Sequence, residues 1–264
     1  MDTQNRETDR SNFLLSRASD TPSPLSVSPI FFFQGVSFKK LLVLALGLGG
    51  LSALILMFSE LNINKGSPFS LYDFLQIFSS YSSCSFMALI FAEKNSLEYF
   101  LFKRKKNWSG KVRDLAVNGG LAGMMIGLCY HRLFTVYRFS HHVPLRVRQI
   151  KTLYDSFLLS VSAAFTEELV FRFLFFSSFL YILDRLFKPI MNLQSGLNRW
   201  IPVVFSVVFS CLMFGVVHGT YGFLFAFLAG ILLCLIFLRG GLESAILAHF
   251  LADFVFFSLT CLFP

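Results

Sequence analysis

The sequence predicts an all-α, polytopic transmembrane helix bundle of about seven spans, and three observations predict it. The chain of 264 residues is 55% hydrophobic and only 14% charged, with a mean hydropathy of +0.65, whereas soluble domains run near a quarter charged. Its 35 Phe residues ask for a larger core than a chain of this length encloses in water. The apolar residues gather in long runs with helical patterning, not the ten-residue alternation of barrel strands. A backbone in lipid must satisfy its own hydrogen bonds, so these runs read as helices. An ordinary soluble enzyme is excluded.

Residues 1–35 are expected to form a disordered polar tail. They are rich in Ser, Thr and Pro with mixed charge, including Asp2, Arg6, Glu7, Asp9, Arg10, Arg17 and Asp20, and such a composition buries too little surface to order itself. The tail lacks the early apolar stretch of a cleavable signal peptide, so the first span is expected to remain as an uncleaved anchor. Residues 36–148 hold N-terminal transmembrane helices, with spans at 39–59, 69–92 and 114–134. Residues 149–264 form a helical core with four more, at 153–183, 200–218, 221–238 and 241–262. Each covers, or nearly covers, roughly 30 Å of hydrocarbon. The fourth exceeds a perpendicular span and should tilt or project. Between the fifth and sixth only His218-Gly219-Thr220-Tyr221-Gly222 interrupts the apolar run. In the third span Gly119, Gly123 and Gly127 repeat every four residues. That smooth ridge suits close helix approach, either to a second copy of the chain or to a neighbour in the same bundle.

The net charge is +8, from 23 Lys and Arg against 15 Asp and Glu. The cations sit between apolar runs, as in Lys103, Arg104, Lys105 and Lys106, where they read as topology signals and lipid-headgroup contacts. No nucleic-acid partner is expected, because the aromatic residues lie within the spans and are not interleaved with the basic clusters. Placing the N-terminus inside puts Lys39, Lys40, the Lys103–Lys106 run, Arg185, Lys188 and Arg199 on the cytoplasmic side, while Arg138, Arg146, Arg148 and Lys151 fall outside. The five cysteines, Cys84, Cys129, Cys211, Cys234 and Cys261, form no CxxC pair, so neither disulfides nor a zinc-ribbon site is expected.

An ionisable group near the bilayer centre costs about 2.5–3.5 kcal/mol on insertion scales, so each one within a span asks for a reason. The fourth span carries Thr166-Glu167-Glu168-Leu169-Val170-Phe171-Arg172 among phenylalanines. Glu168 and Arg172 stand at i,i+4 on one face, with Glu167 turned about 100° away. If Arg172 pairs with one carboxylate, the other is left for a different task; a pair that merely fixes helix register needs only one Glu. The fifth span ends Phe214-Gly215-Val216-Val217-His218, and the seventh carries His249-Phe250-Leu251-Ala252-Asp253, where imidazole and carboxyl share a face. Singly, each has an ordinary reading as interfacial or interhelical polar packing. Together, the least costly arrangement turns the three polar faces toward one another around a wet interior cavity. Such a site is suited to water activation, ion passage or metal binding.

Glu167-Glu168-x-x-x-Arg172, Phe214-x-x-x-His218 and His249-x-x-x-Asp253, in this order on successive helices, resemble the CPBP family of intramembrane proteins, which includes the type II CAAX prenyl endopeptidases. The resemblance covers roughly residues 150–262; the trio is specific, any one motif is not, and the N-terminal half matches only in being hydrophobic. It implies a metal-independent glutamate intramembrane endopeptidase, needing no cofactor, with its catalytic cavity enclosed by the C-terminal helices. Carried over, Glu167 is the general base that activates water, assisted by His218. His249 and Asp253 stabilise the developing oxyanion or orient the scissile carbonyl, and Glu168, Arg172 and Phe214 support, the first two by holding Glu167 in place. The implied partners are the bilayer and a membrane protein or peptide substrate, lipidated or not, for an integral multi-pass protein, in the cytoplasmic membrane if the host is bacterial. Nothing in the sequence decides whether the chain self-associates. One departure stands out: Asp253 occupies a position where prenyl endopeptidases usually carry Asn, whose amide donates to an oxyanion as an ionised Asp cannot.

Three other readings compete. His218, His249 and a Glu could form a three-ligand zinc site with an open water position, although there is no HExxH. A membrane scaffold, immunity or maturation protein could keep the polar cavity for packing or binding. A transporter could use the carboxylates as a proton relay, but no paired broken helices or inverted repeat are evident.

Overall fold

The computed structural model describes residues 37–63, 70–95, 108–136, 150, 152–189, 198 and 200–262. The chain divides into two compact units, Met1–Gly35 and Val36–Pro264, and the expected polar tail lies outside the described residues. Seven helices are described in the second unit. Helices α1 and α2 span Phe38–Ile63 and Leu71–Lys94. Helix α3 runs without a break through Trp108–Asp114, a π-helical stretch Leu115–Leu121, and Ala122–Val136. Helix α4 does the same through Leu153–Glu168, a π-helical stretch Leu169–Phe176, and Ser177–Phe187. Helices α5, α6 and α7 span Trp200–Val217, Gly219–Gly240 and Leu242–Leu262. Five of these, α1, α2, α5, α6 and α7, are long and apolar enough to cross a membrane. The chain is an integral, multi-pass membrane protein. Helix α4, the long fourth segment, carries Glu167, Glu168 and Arg172 along its middle.

Local chemistry sets the helix starts. Ser70 and Thr152 each form a capping box, the hydroxyl accepting from the backbone N–H of Asp73 or Asp155 while that carboxylate accepts from the cap's own N–H. Both caps carry the same four-residue signature, Ser70-Leu71-Tyr72-Asp73 and Thr152-Leu153-Tyr154-Asp155. The expected five-residue break between the fifth and sixth spans is instead a single-residue turn. His218 donates its N–H to the Gly215 carbonyl (3.1 Å), and Gly219 adopts φ +71°, a left-handed geometry that glycine enters without a Cβ penalty. Helix α6 therefore begins at once, and His218 is pinned at the corner.

Helices α4 and α7 lie at the centre: α4 packs on α1, α2, α5 and α7, and α7 packs on α3, α4 and α6. The shared core includes Leu41, Leu89, Leu169, Phe173, Phe176, Leu233, Phe237 and Ala248. Large apolar side chains on the outer surface, such as Val43, Leu71, Val204 and Leu224, are exposed, a surface matched to acyl chains. The glycine ridge of α3 is used inside the bundle. A Cβ at Gly123 would lie 2.4 Å from the Ala248 carbonyl oxygen, and one at Gly127 would lie 2.5 Å from that of Ala252. Only glycine lets α3 come this close, and the strip it grips on α7 alternates with the positions that carry His249 and Asp253.

Candidate active site

The three polar faces anticipated from the sequence meet. Glu167 and Glu168 come from α4 just before its π-helical stretch, a local widening of the helix often found at functional sites. His218 comes from the α5–α6 corner, and His249 and Asp253 come from α7.

The deeper half is sealed. Glu168 and Arg172 are both 0% exposed, with Glu168 Oε1 3.1 Å from an Arg172 guanidinium nitrogen. The same Oε1 lies 2.8 Å from His249 Nδ1. Paired with a guanidinium, Glu168 serves as acceptor, so His249 Nδ1 is the donor and Nε2 is the nitrogen turned outward. Arg172 lies 4.1 Å over the Phe214 ring, and that ring meets His249 edge-on at 5.7 Å. The Ser210 hydroxyl donates to the Phe171 carbonyl (2.6 Å), a bond from α5 to the π-helical stretch of α4. Glu168 and Arg172 were expected to hold Glu167. Glu168 itself contacts both Arg172 and His249, its side chain turned about 100° from that of Glu167.

The outer half is half-open. Glu167 Oε2 lies 3.8 Å from His218 Nε2 and 3.7 Å from His249 Nε2, and has no hydrogen-bond partner of its own. Asp253 Oδ2 lies 3.4 Å from His249 Nε2. His218 Nδ1 is 2.7 Å from the Phe214 carbonyl oxygen; a carbonyl only accepts, so Nδ1 carries a proton and Nε2 is the nitrogen turned toward Glu167. Exposures of 29% for Glu167, 35% for His218 and 27% for Asp253, against 5% for His249, show which groups a second molecule could reach. A carboxylate oxygen with two imidazole nitrogens just beyond hydrogen-bonding distance is suited to gripping a small polar species between them.

Among the described residues, no three His, Cys, Asp or Glu side chains are grouped so as to hold a metal ion. The cysteines are free, yet Cys211 and Cys234 face each other across α5 and α6 with sulfurs 3.9 Å apart. Their separation of 23 residues gave no sign of this juxtaposition, which arises only when α6 folds back at Gly219.

No curated protein and no solved structure matches the chain. Residues 149–255 do match a known family, and the matched stretch contains every one of the polar side chains just described. That stretch is similar to the family described as type II CAAX prenyl endopeptidase Rce1-like.

Proposed function

We propose that the chain is a metal-independent glutamate intramembrane endopeptidase that hydrolyses peptide bonds of membrane-associated proteins in the manner of a CAAX protease. The observation that carries this reading is the approach of His218 Nε2, from the α5–α6 corner, and His249 Nε2, from α7, to the unpartnered Glu167 Oε2. In the proposed reaction Glu167 takes a proton from a water held beside it and His218, the resulting hydroxide attacks the scissile carbonyl, and the tetrahedral intermediate collapses with cleavage of the C–N bond as Glu167 returns the proton to the leaving amine. General-base assistance of this kind contributes roughly 10²–10⁴ in rate. His249, fixed through Nδ1 by Glu168, directs Nε2 at the developing oxyanion, and a preorganised donor there is often the largest single contribution to acyl transfer. Asp253 sets the position of that imidazole. The substrate is a membrane protein or peptide whose cleavage site reaches the half-open side of the cluster, and a prenylated C-terminal tail is the class that the family description supports.

The test compares new protein termini in membranes of cells carrying wild type or Glu167→Gln. The amide keeps the shape and loses the base, so termini present with wild type should vanish in the variant. Cleavage by the variant at the wild-type rate would leave Glu167 no role as base. An unchanged set of termini would favour a non-catalytic membrane scaffold, for which the sealed Glu168–Arg172–His249 cluster would serve only to pin two helices together. For the purified chain, cleavage should survive exhaustive chelation, whereas its loss, with recovery on adding Zn²⁺, would instead support a zinc hydrolase.

A further inference from the structure

Ser210, Phe214 and His218 stand at i, i+4 and i+8 on one face of α5, and each reaches a different point of α4. The Ser210 hydroxyl donates to the Phe171 carbonyl at 2.6 Å. The Phe214 ring meets the Phe171 ring edge-on at 5.2 Å and lies under Arg172. His218 Nε2 stands 3.8 Å from Glu167 Oε2. The two helices thus run antiparallel, with Ser210 at one end of this contact and the Glu167–His218 pair at the other.

Ser210 behaves differently from other hydroxyls in the bundle. Ser52, Ser160, Ser178, Ser206 and Ser244 each donate to the carbonyl four residues earlier in their own helix, a common habit of serine within a helix. Ser210 is wholly buried and gives its one proton to a carbonyl of another helix, within the π-helical stretch Leu169–Phe176 whose wider turns bond i to i+5. Nearby contacts between α4 and α5 are apolar, such as Phe209 stacked on Phe179 at 3.9 Å and edge-on to Phe175 at 6.4 Å. Apolar rings tolerate sliding, whereas a hydrogen bond is directional and short.

We propose that Ser210 is a positioning residue that fixes the register of α5 on α4, and with it the separation of Glu167 from His218. This rests on the reading of Glu167 as the base. Displacing a reacting group by about an ångström lowers rate steeply, and Ser210 restrains that displacement from two helical turns away.

The experiment uses the full chain in lipid nanodiscs and, as probe, a dye-quenched farnesylated peptide ending in a CAAX sequence. Ser210→Ala should lower kcat about three- to ten-fold, the range of one net hydrogen bond, with KM unchanged. Ser206→Ala, which removes an equally buried hydroxyl bonded within α5, should keep wild-type kcat. Because Ser210 acts through the placement of His218, Ser210→Ala should cost almost nothing further in a His218→Ala background. A second readout needs no turnover: the rate at which diethyl pyrocarbonate modifies His218, followed by mass spectrometry, should change in Ser210→Ala and not in Ser206→Ala. If Ser210→Ala does not fold, Ser210→Cys, which keeps the volume and leaves only a weak donor, takes the same tests. Fully additive losses with His218→Ala, equal losses in the Ser206 and Ser210 variants, or unchanged kcat and His218 modification would each overturn the proposal. If wild type cleaves nothing, the peptidase reading fails on its own account, and the modification rate of His218 still decides whether Ser210 positions it.

Discussion

Glu167 and Glu168 are adjacent, chemically identical and differently placed. Glu168 is wholly sealed, contacting Arg172 at 3.1 Å and His249 at 2.8 Å. Glu167 keeps 29% of its side chain exposed and has an oxygen with no hydrogen bond. A single residue step, about 100° around the helix, separates a carboxylate sealed against a guanidinium and an imidazole from one that is partly exposed. A charge in an apolar bundle is tolerable when it is paired and useful when it is not, and this helix holds one of each.

The sharpest way to break the comparison is to neutralise each carboxylate in turn. Glu168→Ala leaves the buried Arg172 without its partner and frees His249 Nδ1. Stranding a buried charge costs about 3–5 kcal/mol, so the variant should be recovered poorly and unfold at lower denaturant in a detergent unfolding titration. Glu167→Gln should unfold like wild type and lose about 10²–10⁴ in kcat against a cleaved reporter. Equal instability in the two variants would erase the distinction between sealed and open carboxylates.

A smaller effect tests how the open half is held. Gly123→Val would drive its side chain into the Ala248 carbonyl, 2.4 Å from the first added carbon, so α7 must move. Overpacking of this kind costs about 1–3 kcal/mol. Because His249 and Asp253 ride on α7, activity should fall further than stability does. A Gly123→Val variant with wild-type kcat would mean that the α3 contact does not position the site.

The comparison also shows how far the sequence carries. Expected spans such as 39–59 and 241–262 lie within Phe38–Ile63 and close to Leu242–Leu262, because long apolar runs in lipid have few alternatives to helix. The pairing of Arg172 with Glu168, and of His249 with Asp253, follows from i,i+4 spacing alone. The bond from His249 to Glu168 spans 81 residues and has no local signature. The reversal of chain at Gly219 depends on one backbone angle, and the expected five-residue break missed it for that reason. The glycine ridge was legible as a close-packing face, but its partner strip on α7 was a matter of tertiary assembly.

Phe214 joins the two halves, stacked beneath Arg172 at 4.1 Å and edge-on to His249, while its carbonyl accepts from His218. Phe214→Leu keeps the backbone bond and much of the volume but removes the ring face. The cation–π contribution of about 0.5–2 kcal/mol should appear as a modest loss of stability. His218, which depends on the backbone, should be undisturbed, so the pH profile of cleavage should keep its shape. A changed profile would show that the ring itself orients an imidazole in the open half.

The smallest expected effect falls at Asp253, and it separates two roles for the same carboxylate. Its Oδ2 lies 3.4 Å from His249 Nε2, the nitrogen that also faces Glu167. If Asp253 acts by fixing that imidazole, Asp253→Asn preserves a carbonyl acceptor in nearly the same place and adds an amide that can donate toward an oxyanion. The variant should then keep kcat within a few-fold of wild type, whereas Asp253→Ala, which removes the contact altogether, should lose about one hydrogen bond's worth, roughly ten-fold. If the negative charge is what matters, by favouring a proton on His249, then the Asn variant should fall as far as the Ala variant and its cleavage should weaken most at high pH. Measuring kcat against pH for both variants distinguishes the cases, because only the second makes the order of the two substitutions collapse.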